Sequence, residues 1–319
     1  MKGSALYGDI QGMLEQMSDS LCLMARSAED TMSTDLSVML ASGGKRLRPI
    51  LAYVCYRMGG DRDKDILPLM CMLELMHTAS LIHDDVVDAA SLRRGRQTIN
   101  SLRGDSRAVQ SGDFLLAKAM ELLHTYKGTG INEKLADVSY NMTMGELAQQ
   151  GMRGRPEMQS VSGYFDLIKK KTALLLAASC WCGAVAGGMP KENAERLLRF
   201  GEKLGVAFQL RDDLIDYYEQ SGKLPGQDVR NGIFTLPILL LMEREIPDRV
   251  AKLLAKREKT ESEVRSLIEY VKDSGAIGQA ELVVEEISRE AVSELSGFRS
   301  SNEKKALSEL VLSLAERES

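Results

Sequence analysis

The chain has 319 residues, 44% of them hydrophobic and 27% charged, which is long enough for a large buried core and excludes disordered, collagen-like or small disulfide-stapled classes. Lys and Arg number 41 against 46 Asp and Glu, so the formal net charge of -5 supplies no overall cationic field for nucleic acid. Five cysteines, odd in number and mostly within apolar runs, suit buried thiols in a reducing cytoplasm, and Cys180-x-Cys182 without a second pair or a nearby His is a poor metal site.

Residues 1–13 carry no continuous apolar stretch and do not read as a secretory signal. Apolar residues recur every three and four positions along nearly the whole length, no convincing strand emerges, and glycine or proline breaks at 43–44, 59–60, 95, 128–130, 187–190, 222–226, 247, 275 and 297 divide the chain into roughly a dozen helices. The segment Gly43-Gly44-Lys45-Arg46-Leu47-Arg48-Pro49 sets three cations just before a helix that Pro49 can start in its first turn, an arrangement suited to an anion. An apolar helix beginning near Ile66 then runs into His83-Asp84-Asp85-Val86-Val87-Asp88, followed by Arg93-Arg94-Gly95. Lys171-Thr172 opens a stretch, 172–189, that is uncharged but rich in Ala, Ser, Cys and Gly; it is expected to be a buried core helix and no stable membrane insertion is expected. Phe208-Gln209-Leu210-Arg211-Asp212-Asp213-Leu214-Ile215-Asp216 follows, and Glu219 to Gly232 has the Gly and Pro content of a mobile lid. The last seventy residues are amphipathic helix, with Ser300 and Glu303 spaced as a capping box. No repeat or linker divides the chain, so residues 1–319 are expected to form one domain.

The chemistry concentrates in the two D-D-x-x-D segments. A spacing of four puts Asp84 and Asp88 on one helix face with no basic residue between them, where like charges repel unless a cation or solvent compensates. One such segment reads most simply as a solvated face. Two, 128 positions apart and each ending an apolar helix, point instead to carboxylate clusters that bind a hard cation, and an all-oxygen set that leaves room for water and phosphate selects Mg²⁺ over Zn²⁺. The implied substrate is phosphorylated.

In this order the motifs resemble the trans-isoprenyl diphosphate synthases, the polyprenyl synthetase family, over about two hundred residues: GGKRLRP at 43–49, HTASLIHDDVVDAASLRRG at 77–95, GELAQ at 145–149, KTALL at 171–175, FQLRDDLID at 208–216, then GK at 222–223 and TLP at 235–237. The resemblance implies an all-α helical bundle of the isoprenoid-synthase type around a deep central cavity, with the Asp clusters facing each other across its mouth, and a homodimer. It implies that Asp84, Asp88 and Asp212 are Mg²⁺ ligands gripping an allylic diphosphate, that Asp85, Asp213 and Asp216 support them, and that Arg93, Lys171, Thr172 and Gln209 complete the allylic site. Lys45, Arg48, His77 and Arg94 would bind isopentenyl diphosphate; outside this context His77 reads as a satisfied core histidine. Two positions depart from the pattern: Ile233 stands where a lysine is usual, with Arg230 a candidate substitute, and Ala89 replaces an acidic residue.

Ala79 and Ser80, five and four residues before Asp84, are small where farnesyl-making relatives often carry an aromatic floor. Met76, then Met72 or Leu73, become floors one and two turns deeper, at about 5.4 Å per turn, so a product longer than farnesyl is expected. A terpene cyclase would not need Lys45, Arg48 and Arg94. A farnesyl or geranylgeranyl diphosphate synthase, or a non-catalytic subunit of a heteromeric synthase, remains an alternative.

Overall fold

The structure is a computed structural model that describes residues 5–41, 44–60, 65–218 and 225–315. It is all-α. In chain order come α1 (Ala5–Arg26), α2 (Asp30–Ala41), α3 (Leu47–Gly59) and α4 (Leu67–Val87), a hairpin of β1 (Leu92–Arg93) and β2 (Arg96–Gln97), then α5 (Ile99–Arg103), α6 (Asp105–Leu123) and α7 (Ile131–Met152). There follow α8 (Val161–Ile168), α9 (Leu174–Ala186), α10 (Lys191–Ile215), α11 (Gln227–Arg230), α12 (Leu236–Met242), α13 (Asp248–Ala255), α14 (Glu261–Asp273), α15 (Ala276–Glu294) and α16 (Asn302–Ala315). The breaks read from sequence account for the longer helices. One- and two-turn helices such as α5 and α11 raise the number beyond a dozen.

The residues form two compact units, one of Met1–Lys134, Ser179–Glu195 and Ser301–Glu303, the other of Leu135–Ala178, Arg196–Ser300 and Lys304–Ser319. In the first, α4 is buried along Leu69 to Met76 and packs against α6, where Gly112 leaves room for the His83 ring: a Cβ there would lie 2.2 Å from Nε2. Glycines also let α3 meet the end of α9, since a Cβ on Gly183 would come within 2.1 Å of the Ala52 carbonyl oxygen and one on Gly187 within 2.3 Å of that of Tyr56. In the second unit α12 packs on α15, α14 and α8, burying Leu239, Leu241, Val264, Ile268 and Val284. Each large aliphatic side chain so buried contributes about 1.5–3 kcal/mol relative to exposure.

Four local expectations need correction. A two-residue strand pair exists, because Arg94 (φ 52) and Gly95 (φ 75) both take positive φ, the geometry of the mirror-image two-residue turn. Helix α3 begins at Leu47, two residues before Pro49, so Arg48 lies inside its first turn and Arg46 is the cap in left-handed conformation (φ 46). Helix α16 begins at Asn302, with Glu303 turned to Arg57 (3.6 Å), so Ser300 and Glu303 form no capping box; the box that exists is Thr260 with Glu263 at the start of α14. Thr172 does not open an ordinary helix: Lys169–Ala173 is a wide π-turn, the kind of distortion that collects at functional sites, and only from Leu174 does the helix become regular. Helix α9 is buried as expected, and no described helix is long and apolar enough to cross a membrane.

Candidate active site

In the first unit, α4 carries the first Asp motif to its end. Val87 is the last helical residue, Asp88 caps it with its N–H donating to the Asp84 carbonyl (2.8 Å), and Ala89 turns the chain away at φ 47. Asp88 is exposed and Asp84 half-buried, on the shared face that the spacing of four demands. Asp85, one position on, is buried and accepts from Arg93 Nε at 2.7 Å, while Asn100 Nδ2 donates to its backbone carbonyl at 3.2 Å. Burial pushes the Asp85 carboxyl up and the Arg93 guanidinium partly offsets this. The middle aspartate therefore ties the motif to the hairpin.

That hairpin presents Arg94 at a left-handed position, strained by roughly 1–3 kcal/mol for a non-glycine residue. Its guanidinium lies against Gly44, where a Cβ would sit 2.7 Å from Nη1, so the second glycine of GGKRLRP makes space for the arginine of RRG. Lys45 is exposed. Arg48 has a buried Nε with no hydrogen-bond partner among the described residues, and burial, opposed by Glu74 and aided by Arg94, lowers its pKa to about 10. Arg46 is engaged elsewhere, with Glu74 and the Leu40 carbonyl. His77 is pushed well below the usual imidazole range by burial and then by Arg48, Arg94, Arg93 and Arg46. Its neutral ring is thus favoured among the guanidinium groups, and an orphaned cationic donor is what an incoming anion satisfies. The His77 resonances should keep the neutral form as pH falls through 6.5. Because the unfolded chain takes the proton first, stability should decline below that pH and level off beneath the folded value; an NMR titration with a midpoint at or above 6.5 would contradict this.

In the second unit, the other motif is divided differently, with two of its aspartates tied to described partners. Asp212 is exposed near the end of α10. Asp213 is buried, accepting from Tyr164 Oη (2.5 Å) and Gln209 Nε2 (2.7 Å), and the Gln209 Oε1 accepts from Thr172 Oγ1 (2.7 Å). Burial pushes Asp213 up to about 7, opposed by those hydrogen bonds and reinforced by Asp212 and Asp216. Asp216 lies just past the helix and spends both oxygens on main-chain amides, those of Gln227 (3.1 Å) and Asp228 (3.0 Å). Lys171, on the π-turn, pairs with Glu146 (2.5 Å) and Gln149 (2.6 Å). Gly145 permits this, since a Cβ there would press on Lys170 Cβ at 3.0 Å and Lys171 Cγ at 3.1 Å. The GELAQ motif is therefore a socket for Lys171. The sequence reading gave Glu146, Gln149 and Tyr164 no role; the spacing of three between Glu146 and Gln149 on one helix face was the available signal, and nothing local marks Tyr164.

Ala79 is fully buried, Met76 nearly so and Ser80 half-buried, with Met72 and Leu73 both enclosed one turn beyond Met76. Half-buried Ile233 lines a small pocket whose wall is mixed, with Met152, Leu167, Phe234 and Leu239 beside Gln149, Arg153 and Gln159. Arg230 is on α11, donates to Gln227 Oε1 (3.2 Å) and lowers the Asp216 pKa. Of the expected lid, residues 219–224 lie outside the described residues.

Among the described residues no three His, Cys, Asp or Glu side chains converge closely enough to hold a metal alone. The donor chemistry nevertheless fits a hard divalent cation. In the second unit Asp213, Asp216 and Asp228 are all raised by burial first, and Asp212 adds to the rise in each, a concentration of carboxylates that a cation relieves, with water and phosphate completing its shell.

Residues 29–271 match the polyprenyl synthetase family. This chain belongs to that family. It is 32% identical to heptaprenyl diphosphate synthase component 2 of Geobacillus stearothermophilus over all of both chains, and 33% identical to nonaprenyl diphosphate synthase of Mycobacterium tuberculosis over 93% of this chain and 89% of that one. A crystal structure of a polyprenyl synthase from Caulobacter crescentus, complexed with calcium and isoprenyl diphosphate, superposes with a TM-score of 0.88 at 33% identity, covering 98% of this chain and 95% of its own. The fold is thus that of the polyprenyl synthetases and the protein is a trans-prenyltransferase.

Proposed function

We propose that this polyprenyl synthetase condenses isopentenyl diphosphate with an allylic diphosphate, head to tail and in trans, to a prenyl diphosphate longer than farnesyl. The observation that carries the reading is that each Asp motif sets a buried, hydrogen-bonded aspartate, Asp85 or Asp213, beside an exposed one, Asp88 or Asp212. Asp84, Asp88 and Asp212 would hold Mg²⁺, which neutralises charge growing on the diphosphate leaving group. Asp85, Asp213 and Asp216 keep their neighbours in place. Arg93, Lys171, Thr172 and Gln209 orient the allylic diphosphate, and Lys45, Arg48, His77 and Arg94 bind isopentenyl diphosphate by cationic and neutral donors without metal. Anchoring both diphosphates fixes the alkene against the allylic carbon. No side-chain base is needed, since the departing diphosphate takes the proton.

Residues 1–319 act as one synthase domain, a reading supported by the single family match that runs over residues 29–271. We assign the work to the cytoplasm, in keeping with five free thiols. Copies of the chain pair as a homodimer; exposed Tyr140, Met144 and Leu147, spaced four and three residues along α7, offer an apolar stripe for that contact. Two relatives are named as component 2 of a heptaprenyl synthase, which makes a heteromeric assembly the competing arrangement.

Purified protein alone, given Mg²⁺, labelled isopentenyl diphosphate and farnesyl diphosphate, should yield labelled product of greater length, and light scattering should report a dimer. No incorporation, or incorporation only with a second polypeptide, overturns the reading. Farnesyl as sole end product from a shorter primer overturns the length. Ser80→Phe should shorten the products, whereas Ala79→Phe should mainly impair folding because Ala79 is enclosed.

A further inference from the structure

Between α7 and α8 the chain makes one turn of 3₁₀ helix, Pro156–Met158, and then presents half-buried Gln159 to the stretch that follows α11. Every polar atom of its amide is engaged there. Nε2 donates to the carbonyls of Met152 and Gly232, both at 3.0 Å, and Oε1 accepts from the Phe234 N–H at 2.8 Å. Two carbonyls and one N–H around the group fix which end is nitrogen and which oxygen. Glu lacks the donors, Lys and Arg lack the acceptor, and Asn is one carbon shorter, so the set of partners is matched to glutamine. Gly232 and Phe234 are buried, which makes the loss of these bonds costly. The two stretches also meet through the Gly154 N–H, which donates to the Gly232 carbonyl (3.0 Å), and through Arg153 Nε, which donates to the Asn231 carbonyl (3.1 Å).

The supports of the second Asp motif converge on this junction, and all of them belong to the second unit. Before Gln159, α7 carries Glu146 and Gln149, the socket of Lys171. Directly after it, Ser160 caps α8 by accepting from the Gly163 N–H (3.1 Å), and α8 carries the Tyr164 that donates to Asp213. Across the hydrogen bonds, the stretch 231–234 continues from α11, whose Gln227 and Asp228 amides donate to Asp216. The Ile233 N–H donates to the Asp228 carbonyl (2.9 Å), so the turn joining the two contacts is closed on itself. A pull at 232–234 is therefore felt at Asp216.

We propose that Gln159 is a positioning residue for the second Asp motif: by holding 232–234 it keeps the amides of α11 within reach of Asp216, and so sets how well this unit takes metal and allylic diphosphate. The two ligands rest on the function proposed above. The link from Gln159 to Asp216 rests on the hydrogen bonds alone.

The first measurement is amide hydrogen exchange on the full-length protein without metal or substrate. Gln159→Met fills similar space without polar atoms, and Gln159→Glu keeps the acceptor for Phe234 while giving the two carbonyls no donor. In both, the Gln227 and Asp228 amides should exchange about fivefold faster or more, as expected when hydrogen bonds of ordinary strength are lost, with α15 unchanged. The Phe234 amide speeds up in Gln159→Met whatever the role of Gln159, so the two remote amides decide. In the assay with Mg²⁺, KM for farnesyl diphosphate should rise by about threefold to tenfold, less than the ~10–100-fold typical of groups bonded to a metal ligand itself. KM for isopentenyl diphosphate, whose proposed residues all lie in the first unit, should stay as it was. Arg155→Ala, in the same turn but exposed and bonded to Met158, should change neither reading. Unchanged exchange at 227 and 228, a rise of both KM values together, an equal effect of Arg155→Ala, or collapse of the fold in both Gln159 variants overturns the proposal. If the wild-type protein incorporates no isopentenyl diphosphate, the catalytic reading fails, and faster exchange at 227 and 228 still identifies Gln159 as the holder of the Asp216 amides.

Discussion

Asp84→Asn and Asp212→Asn should each lower the rate of isopentenyl incorporation by about 10²–10³-fold or more, the range expected when a group that stabilises developing charge is removed from a site. Asp84 sits on the helix face shared with Asp88, and Asp212 is the exposed member of its own cluster. Neither change disturbs the buried hydrogen bonds of its neighbour, so melting temperature should move little. Asp213→Asn is the informative contrast. Its carboxylate already accepts from Tyr164 and Gln209, and an amide retains one acceptor, so the expected loss is smaller and is shared by Tyr164→Phe. Initial rates across a Mg²⁺ titration provide the measurement. If Asp213→Asn proves as damaging as Asp212→Asn while Tyr164→Phe is silent, the assignment of ligand and support is wrong.

Gly183→Val should be among the most destabilising single changes in the first unit. The position faces Ala52 so closely that a Cβ would lie 2.1 Å from a backbone oxygen and 2.8 Å from its carbon, and Ala52 cannot yield without moving α3. Gly187, one turn on, makes the same approach to Tyr56, and Gly59 in turn meets Gly187. Overpacking of this kind costs about 1–3 kcal/mol and occasionally more, with the upper end expected where backbone, not a side-chain tip, is struck. A thermal melt of Gly183→Val beside Gly278→Val, a glycine with open space around it, measures the difference. Equal melting temperatures would mean that the α3–α9 approach is looser than described. Because α3 carries Arg48 in its first turn, the same change should also weaken isopentenyl diphosphate binding.

Residue type and spacing were enough to find both Asp motifs, the cationic segment at 43–49 and the lysine at 171, because each is a local pattern of charge that an apolar helix has no structural need for. The long amphipathic helices were equally plain. Partners chosen by tertiary packing were not. Tyr164 reaches Asp213 across 49 positions with nothing local to mark it, and Glu146 and Gln149, whose spacing on one helix face was their one local sign, reach Lys171 across more than twenty. Backbone handedness was also hidden: Arg46, Ala89 and Arg94 take positive φ although none is glycine, so the hairpin at 92–97 and the early start of α3 escaped a reading based on propensity. Ser300 and Glu303 matched a capping pattern that lost to a salt bridge, Glu303 with Arg57, while Thr260 and Glu263 realised it.

Asp216 grips the chain after α10 through two peptide N–H groups, which every amino acid except proline supplies. The tether is therefore indifferent to which side chains stand at 227 and 228, and the stretch beyond it can exchange a basic residue for an aliphatic one, as at Ile233, without coming loose. Adaptation of this stretch to different chain lengths or partners is then restricted at the anchor by one rule alone, the exclusion of proline.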